Sequence, residues 1–352
     1  MAKGNVVHVV GTGTIGEPLV GLFTQWKEKW NIDEVTFHKR TPNANDRAMV
    51  NSLLNTGARL VADEGARDDF ARLGHRVSYV TEEAVERATV VVDCTPAGND
   101  NKVNLYQKTK GPKGFLAQGS EFGFGRPYAL GINDEIQSPD ERFVQVVSCN
   151  THNISVLLKT IATKDARISL NAGQFVCMRR ANDVGDVQSF LAAPEAGKHD
   201  DPDFGTHHAR DAYHLFATLG EKLDLYSSAI KINTQYMHTL WFNLELKHDT
   251  TLEEVKAVLR SNPRIAVTNK RSVNQIFSFG RDHGYYGRIL SQTVVPTPTI
   301  SVPNPRKVVG FCYTPQDGNS LLSSIAATLR YLDVKKLEDN LEVLRPFIFR
   351  EI

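Results

Sequence analysis

The residues best suited to chemistry are Ser148-Cys149-Asn150-Thr151, placed between a short apolar strand (Val144 to Val147) and a helical stretch. A thiol at a helix start feels the positive end of the dipole, which favours the thiolate, the nucleophilic form. The competing reading is a small packed core residue. Four histidines stand as candidate partners. His152 follows the motif, His207-His208 lie where a polar loop (Asp200 to Gly205) meets a helix, and His238 sits in the apparent strand Tyr236 to Lys247. The paired histidines read as ligand contacts rather than core, whereas His238 reads equally well as an ordinary buried histidine. Arg179-Arg180 closes a predicted strand (Arg167 to Arg180) and is suited to gripping an anion, with a solvated strand end as the alternative.

A second constellation is Gly11-Thr12-Gly13-Thr14-Ile15-Gly16. It follows the β-branched run Val6 to Val10 and opens a helix predicted over Ile15 to Trp30, the context a dinucleotide-binding turn requires. Gly11 permits the tight turn, Gly13 lets a pyrophosphate approach the backbone and Gly16 allows close helix packing. The next strand (Glu34 to Lys39) ends in Lys39-Arg40-Thr41, where a carboxylate would select NAD. Cations and a hydroxyl there suit the 2'-phosphate of NADP, unless the turn is only a solvated basic corner. A dinucleotide site and a nucleophilic cysteine together point to oxidation of an aldehyde through a covalent intermediate.

The elements that must position these residues follow from patterning. Up to residue 148, strands apolar on both faces, such as Thr89 to Asp93, alternate with helices, as in a parallel sheet. Beyond it, Asn153 to Thr163 is helical and long alternating strands (Arg167 to Arg180, Leu223 to Ile232, Tyr236 to Lys247) predict a largely antiparallel sheet. The expected fold class is α/β: a Rossmann-type dinucleotide-binding domain over 1–148, rejoined by a C-terminal helical segment over about 317–352, and an α+β catalytic domain over 149–316. Val294 to Pro305, with four prolines, is expected to run extended over the surface.

Composition narrows the classes. Lys plus Arg number 41 against 40 Asp plus Glu among 352 residues, so no global field draws the chain to nucleic acid or anionic membrane. No stretch reads as a signal peptide or membrane span. The four cysteines (Cys94, Cys149, Cys177, Cys312) lack C-x-x-C spacing, against a disulfide framework or zinc cluster and for a reducing cytoplasm.

The chain resembles the archaeal-type (type II) glyceraldehyde-3-phosphate dehydrogenases. The likeness runs through Gly13-Thr14-Ile15-Gly16, Val92-Asp93-Cys94-Thr95-Pro96 with Gly98, Gln118-Gly119, Val147-Ser148-Cys149-Asn150-Thr151, Arg179-Arg180-Ala181, His207-His208, Met237-His238 and Gln316. The resemblance implies that Cys149 is the nucleophile and His238 the base. It places Thr14, Ile15, Thr95, Gly119, Arg180 and Gln316 at cofactor positions and Ser148, Asn150, His207 and His208 at substrate positions. It further implies a cytoplasmic homotetramer that uses NADP or NAD, with inorganic phosphate as co-substrate and no metal. Three departures bear on substrate choice rather than reaction class: Gly119-Ser120-Glu121-Phe122 where the family has Gln-Gly-Gly-Glu-Lys, His152-Asn153 after the motif, and no Lys-Lys-Gly-Pro between Val184 and Gly205. The alternatives are a dehydrogenase of another phosphorylated or acidic semialdehyde and an inactive dinucleotide sensor.

Overall fold

The computed structural model describes residues 4–183, 190–315, 317–332 and 337–352. The chain divides into two compact units, the first comprising Met1–Arg126, Gln137–Val146 and Ser323–Val343, the second Pro127–Ile136, Val147–Leu322 and Leu344–Ile352. No described helix is long and apolar enough to cross a membrane.

The first unit is built on strands β1 (Val6–Val10), β2 (Glu34–His38), β3 (Arg59–Ala62), β4 (Tyr79–Val80), β5 (Val90–Asp93) and β6 (Gly114–Gln118), followed by β7 (Arg126–Tyr128) and β8 (Phe143–Val146). The sheet order is β4-β3-β2-β1-β5-β6-β8-β7, and every pairing from β4 to β8 is parallel. All residues of β1, β5 and β6 are buried, which is why these strands read as continuous apolar runs. Helices α1 (Gly16–Gln25), α2 (Arg47–Asn55), α3 (Arg67–Arg72), α4 (Thr81–Arg87) and α5 (Gly98–Asn101) alternate with the strands. The α/β reading therefore holds. Helix α1 ends at Gln25, short of the predicted Trp30. The apolar pattern continues to Trp30 because that ring packs edge-on against Phe23 while its Nε1 donates to the carbonyl of Asn340.

In the second unit, β9 (Thr163–Lys164) and β10 (Arg167–Ile168) form an antiparallel pair. The main sheet contains β11 (Leu170–Arg179), β12 (Glu195–Ala196), β13 (Leu225–Lys231), β14 (Thr239–Leu246), β15 (Ile265–Thr268), β16 (Thr293–Pro296), β17 (Ser301–Asn304) and β18 (Lys307–Tyr313). Its order is β12-β13-β11-β14-β18-β16-β15, with β17 on β18. It is mixed: β11–β13 and β15–β16 are parallel and the other pairs antiparallel. Helices α6 (Cys149–Ile161), α7 (His207–Ala217), α8 (Leu252–Ser261) and α9 (Val273–His283) complete the unit, and α6 and α7 bury Leu157, Leu158, Leu215 and Phe216 in one core with Phe175, Leu240 and Phe242 of the sheet.

The segment Val294 to Pro305 runs over the surface as expected only in its second part, Ser301–Asn304 being mostly exposed. Its first part is the buried strand β16, and Thr297 and Ile300 are buried as well. Prolines suggest exposure because they cannot donate to a ladder. Pro296 instead closes β16 as its last residue.

Candidate active site

Sheet register creates the site. Strand β14 is antiparallel to both β11 and β18, with Met178 opposite Thr239 and Thr239 opposite Tyr313. The residue entering β14, His238, therefore lies beside those leaving β11 and β18, Arg180 and Thr314. Two hydrogen bonds fix this row: the Arg180 backbone N–H donates to His238 Nδ1 at 2.9 Å, and the Thr314 N–H donates to the His238 carbonyl at 2.9 Å.

Cys149 joins the row as the first residue of α6, immediately after the N-cap Ser148, whose Oγ accepts from the Thr151 N–H. The helix start is tied to the end of β18. Thr314 Oγ donates to Asn150 Oδ1 at 3.0 Å and accepts from Asn153 Nδ2 at 2.5 Å, and Asn319 Nδ2 donates to the Cys149 carbonyl at 3.0 Å. Asn150, assigned to substrate by resemblance, thus spends its side-chain oxygen holding the helix. His152 is also fully buried, its Nδ1 3.0 Å from the Ser148 carbonyl.

Charge at the site is set by Arg180 and Asp317. The buried guanidinium of Arg180 donates to Asp317 Oδ2 at 2.9 Å and to Asp183 Oδ1 at 2.7 Å. Asp317 is also one of the charged groups acting on the Cys149 thiol. Burial, then the neighbouring Asp317 carboxylate, push that thiol well above its ordinary range, against the pull of Arg180. The helix start favours the thiolate, and burial and the Asp317 carboxylate oppose it. Burial alone would raise the Asp317 carboxyl, but Arg180 and His238 hold it below the usual carboxylate range.

His238 is neutral: burial and the cations Arg180 and Arg179 lower it to about 4 against the opposing pull of Asp317 and Asp183. Since Nδ1 accepts a backbone N–H, the ring proton sits on Nε2. That is a donor's tautomer, and the base role implied by resemblance has no free nitrogen lone pair in it.

The paired histidines divide. His207 is partly exposed at the first position of α7, lowered to about 4 by burial and then by Arg179 and Arg210. His208 is buried, with neither ring nitrogen partnered, and burial followed by His207, Arg179 and His238 keeps it uncharged. Its burial goes with that of Ala209 and Ala212 in α7, and Arg179 and His238 are among the charges that act on it. Arg179 is exposed at the end of β11.

In the first unit the candidate cofactor residues share one edge. The order β2-β1-β5-β6 places Lys39-Arg40, the Gly11–Gly16 turn, Thr95 and Gly119 on four adjacent loops, each after the carboxyl end of its strand. This is where open parallel sheets bind ligands. Gly11 has φ +88°, and a Cβ at Gly16 would lie 1.9 Å from the Gly11 carbonyl oxygen, so both positions demand glycine. A Cβ at Gly13 would meet nothing within 4 Å. Protein packing thus leaves open the side a pyrophosphate would approach, and the turn fits that group. Thr95 is pinned by Asp93, whose carboxylate accepts from Thr95 N and Oγ, Asn101 Nδ2 and Tyr106 OH. Lys39 pairs with Asp46 at 2.8 Å, and Arg40 is exposed. Gln316 lies outside the described residues.

Sequence reasoning missed Asp317, Thr314 and Asn319. The available signal was Gln316-Asp317-Gly318-Asn319, a polar cluster at a helix start, from which only the glutamine was singled out.

No protein-family model matches the chain. Among curated proteins, glyceraldehyde-3-phosphate dehydrogenase 2 of Methanosarcina acetivorans is 31% identical over 299 residues, 80% of each chain. The chain belongs to the glyceraldehyde-3-phosphate dehydrogenase family. Glyceraldehyde-3-phosphate dehydrogenase 1 of Methanosarcina barkeri is 28% identical over 78% of each chain, and the enzyme of Metallosphaera sedula 26% over 84%. Such coverage takes in most of both units, so the similarity of this glyceraldehyde-3-phosphate dehydrogenase family member to its relatives does not rest on the dinucleotide turn alone.

Proposed function

We propose that the chain is a phosphorylating glyceraldehyde-3-phosphate dehydrogenase of the archaeal type, a cytoplasmic homotetramer using NADP in preference to NAD. The observation that carries this reading is the placement of Cys149 at the start of α6 within reach of the Arg180–Asp317 pair, in a row with His238. Cys149 attacks the aldehyde carbon of glyceraldehyde 3-phosphate, its thiol proton passing to the aldehyde oxygen to give a thiohemiacetal, which becomes a thioester by losing hydride from that carbon and the hydroxyl proton to solvent. His238, its proton on Nε2, donates to the aldehyde oxygen as negative charge develops there. Ser148, Asn150, Arg179, His207 and His208 form the substrate side, with Arg179 supplying the exposed cation. Gly11, Gly13, Thr14, Ile15, Gly16, Thr95, Gly119, Arg180 and Gln316 hold the dinucleotide, which when bound supplies the hydride acceptor. Inorganic phosphate then cleaves the thioester to 1,3-bisphosphoglycerate.

The deciding assay follows reduced nicotinamide with glyceraldehyde 3-phosphate, with and without phosphate and with either cofactor. Turnover that requires phosphate supports the reading. Turnover only with another semialdehyde moves the substrate, and binding without turnover leaves a sensor.

Cofactor preference has its own test. Lys39 and Arg40 replaced together by Gln should weaken NADP by about 1 kcal/mol, roughly fivefold in Kd, and leave NAD nearly unchanged. The effect stays small because Lys39 is already engaged by Asp46 and Arg40 is solvated. Equal losses for both cofactors in titration would show that this turn does not read the 2'-phosphate.

A further inference from the structure

Asp93 takes no part in the reaction proposed for Cys149, yet it is a fully buried carboxylate at the end of β5. Its Oδ1 accepts from Thr95 N at 2.9 Å and from Thr95 Oγ at 2.6 Å, and its Oδ2 from Asn101 Nδ2 at 2.7 Å and from Tyr106 OH at 2.7 Å. All four donors are uncharged, so burial of this group depends on holding each of them in place. Tyr106 ends a single π-helical turn, Lys102–Tyr106, a rare form found often at functional sites. The register of β1 and β5 sets Asp93 opposite Val10, the residue before the glycine turn, so the two loops leave the sheet side by side. A Cβ built on Gly11 would lie 2.9 Å from Thr95 Cγ2, and one built on Gly16 would lie 3.5 Å from Cys94 Cβ. With its hydroxyl proton given to Asp93, Thr95 thus turns its methyl group against Gly11.

We propose that Asp93 is a positioning residue for dinucleotide binding: its carboxylate fixes Thr95, and the Thr95 methyl braces the glycine turn at Gly11 in the shape that receives a pyrophosphate. This deepens the proposed function and rests on its reading of the Gly11–Gly16 turn as the dinucleotide site. Glycine is conformationally permissive, so a turn with Gly11 at φ +88° owes its shape to its neighbours. A turn held in shape before the ligand arrives binds more tightly, because less ordering is left to do. The brace acts on the turn and not at the end of β2, where Lys39 and Arg40 would meet a 2'-phosphate. Its loss therefore weakens NAD and NADP alike.

The experiment is calorimetric titration of the full-length protein with NAD and with NADP, without aldehyde, so the result is independent of which substrate the enzyme takes. Asp93→Asn sets an amide NH2 against the donors on one side of the former carboxylate, whichever way the amide turns. Its Kd should rise about tenfold for both dinucleotides, since hydrogen bonds to a charged group are the strong ones. Asp93→Asn combined with Asn101→Asp exchanges amide and carboxylate across the 2.7 Å bond, and should bring both Kd values back to within about threefold of wild type. Tyr106→Phe deletes one donor and keeps the ring stacked on Phe115, and should raise both Kd values about twofold to threefold. A purely structural carboxylate would lower the urea midpoint and leave both Kd values where they are. Unchanged Kd values in Asp93→Asn, or in Tyr106→Phe should the asparagine variant not fold, overturn the proposal. So does a loss confined to NADP, or a double variant that stays as weak as Asp93→Asn. Wild-type protein that binds neither dinucleotide overturns the reading of the glycine turn itself, and this proposal with it.

Discussion

Cys149→Ser should lower aldehyde oxidation by at least about 10³-fold while leaving dinucleotide affinity within about twofold of wild type. A serine hydroxyl at this half-buried position would have to be deprotonated where desolvation already opposes ionisation of a thiol. The wild-type sulfur is polarisable and far more acidic, so it can be brought to react, whereas the hydroxyl lacks a base. Packing should be undisturbed, since serine is smaller than cysteine and the Asn319 bond at this residue goes to the backbone carbonyl. Single turnover with acid quench should trap a substrate adduct on Cys149 in wild type and none in the variant. Retention of wild-type turnover by the serine protein would rule out the covalent route.

Acid should destabilise the fold by at least about 4 kcal/mol between pH 7 and pH 5. His8, His152 and His238 are buried and neutral, lowered chiefly by burial to about 3, about 4 and about 4 from 6.5. A histidine whose folded pKa is depressed lends stability that is complete above 6.5. That stability is lost as pH falls toward the folded value, because only the unfolded chain takes up protons in between. Each of the three costs about 2 kcal/mol at pH 5. Asp211 works the other way. Burial, opposed by Arg210, raises it to about 6 from 3.8, so the folded state binds one proton as pH drops below 6 and recovers about 1–2 kcal/mol by pH 5. The net loss approaches the whole stability of an ordinary domain. Urea midpoints measured every half unit should fall with a slope of at least about two protons between pH 6 and 5. A flat dependence there would mean that these imidazoles are charged or solvated in the folded protein.

Legibility differed between the two halves of the chain. The first unit could be read because each cue was local. Val6 to Val10 and Thr89 to Asp93 are apolar on both faces, and the glycines at 11, 13 and 16 occur at the one spacing a strand-to-helix turn of this kind uses. The long antiparallel strands of the second unit were found within two or three residues of their ends, whereas β16 was mistaken for surface because its sequence neighbours are prolines. Histidines 207 and 208 could not be separated in sequence, since adjacent helix positions differ by about 100° and only the packing of α7 determines which ring turns inward.

Residue types and local spacing determined that a cysteine begins a helix, that a glycine turn joins the first strand to the first helix, and that the order of elements makes an α/β chain. Only the tertiary structure decided the protonation of the site. Asp317 lies 168 positions from Cys149 in the chain and 137 from Arg180, and it meets them because β14 pairs antiparallel with both β11 and β18. The sign of the shift on Cys149 depends on burial and on those two opposing charges. No spacing in the sequence encodes it, because electrostatic interaction falls with distance in space and the dielectric around a group is a property of the packed core.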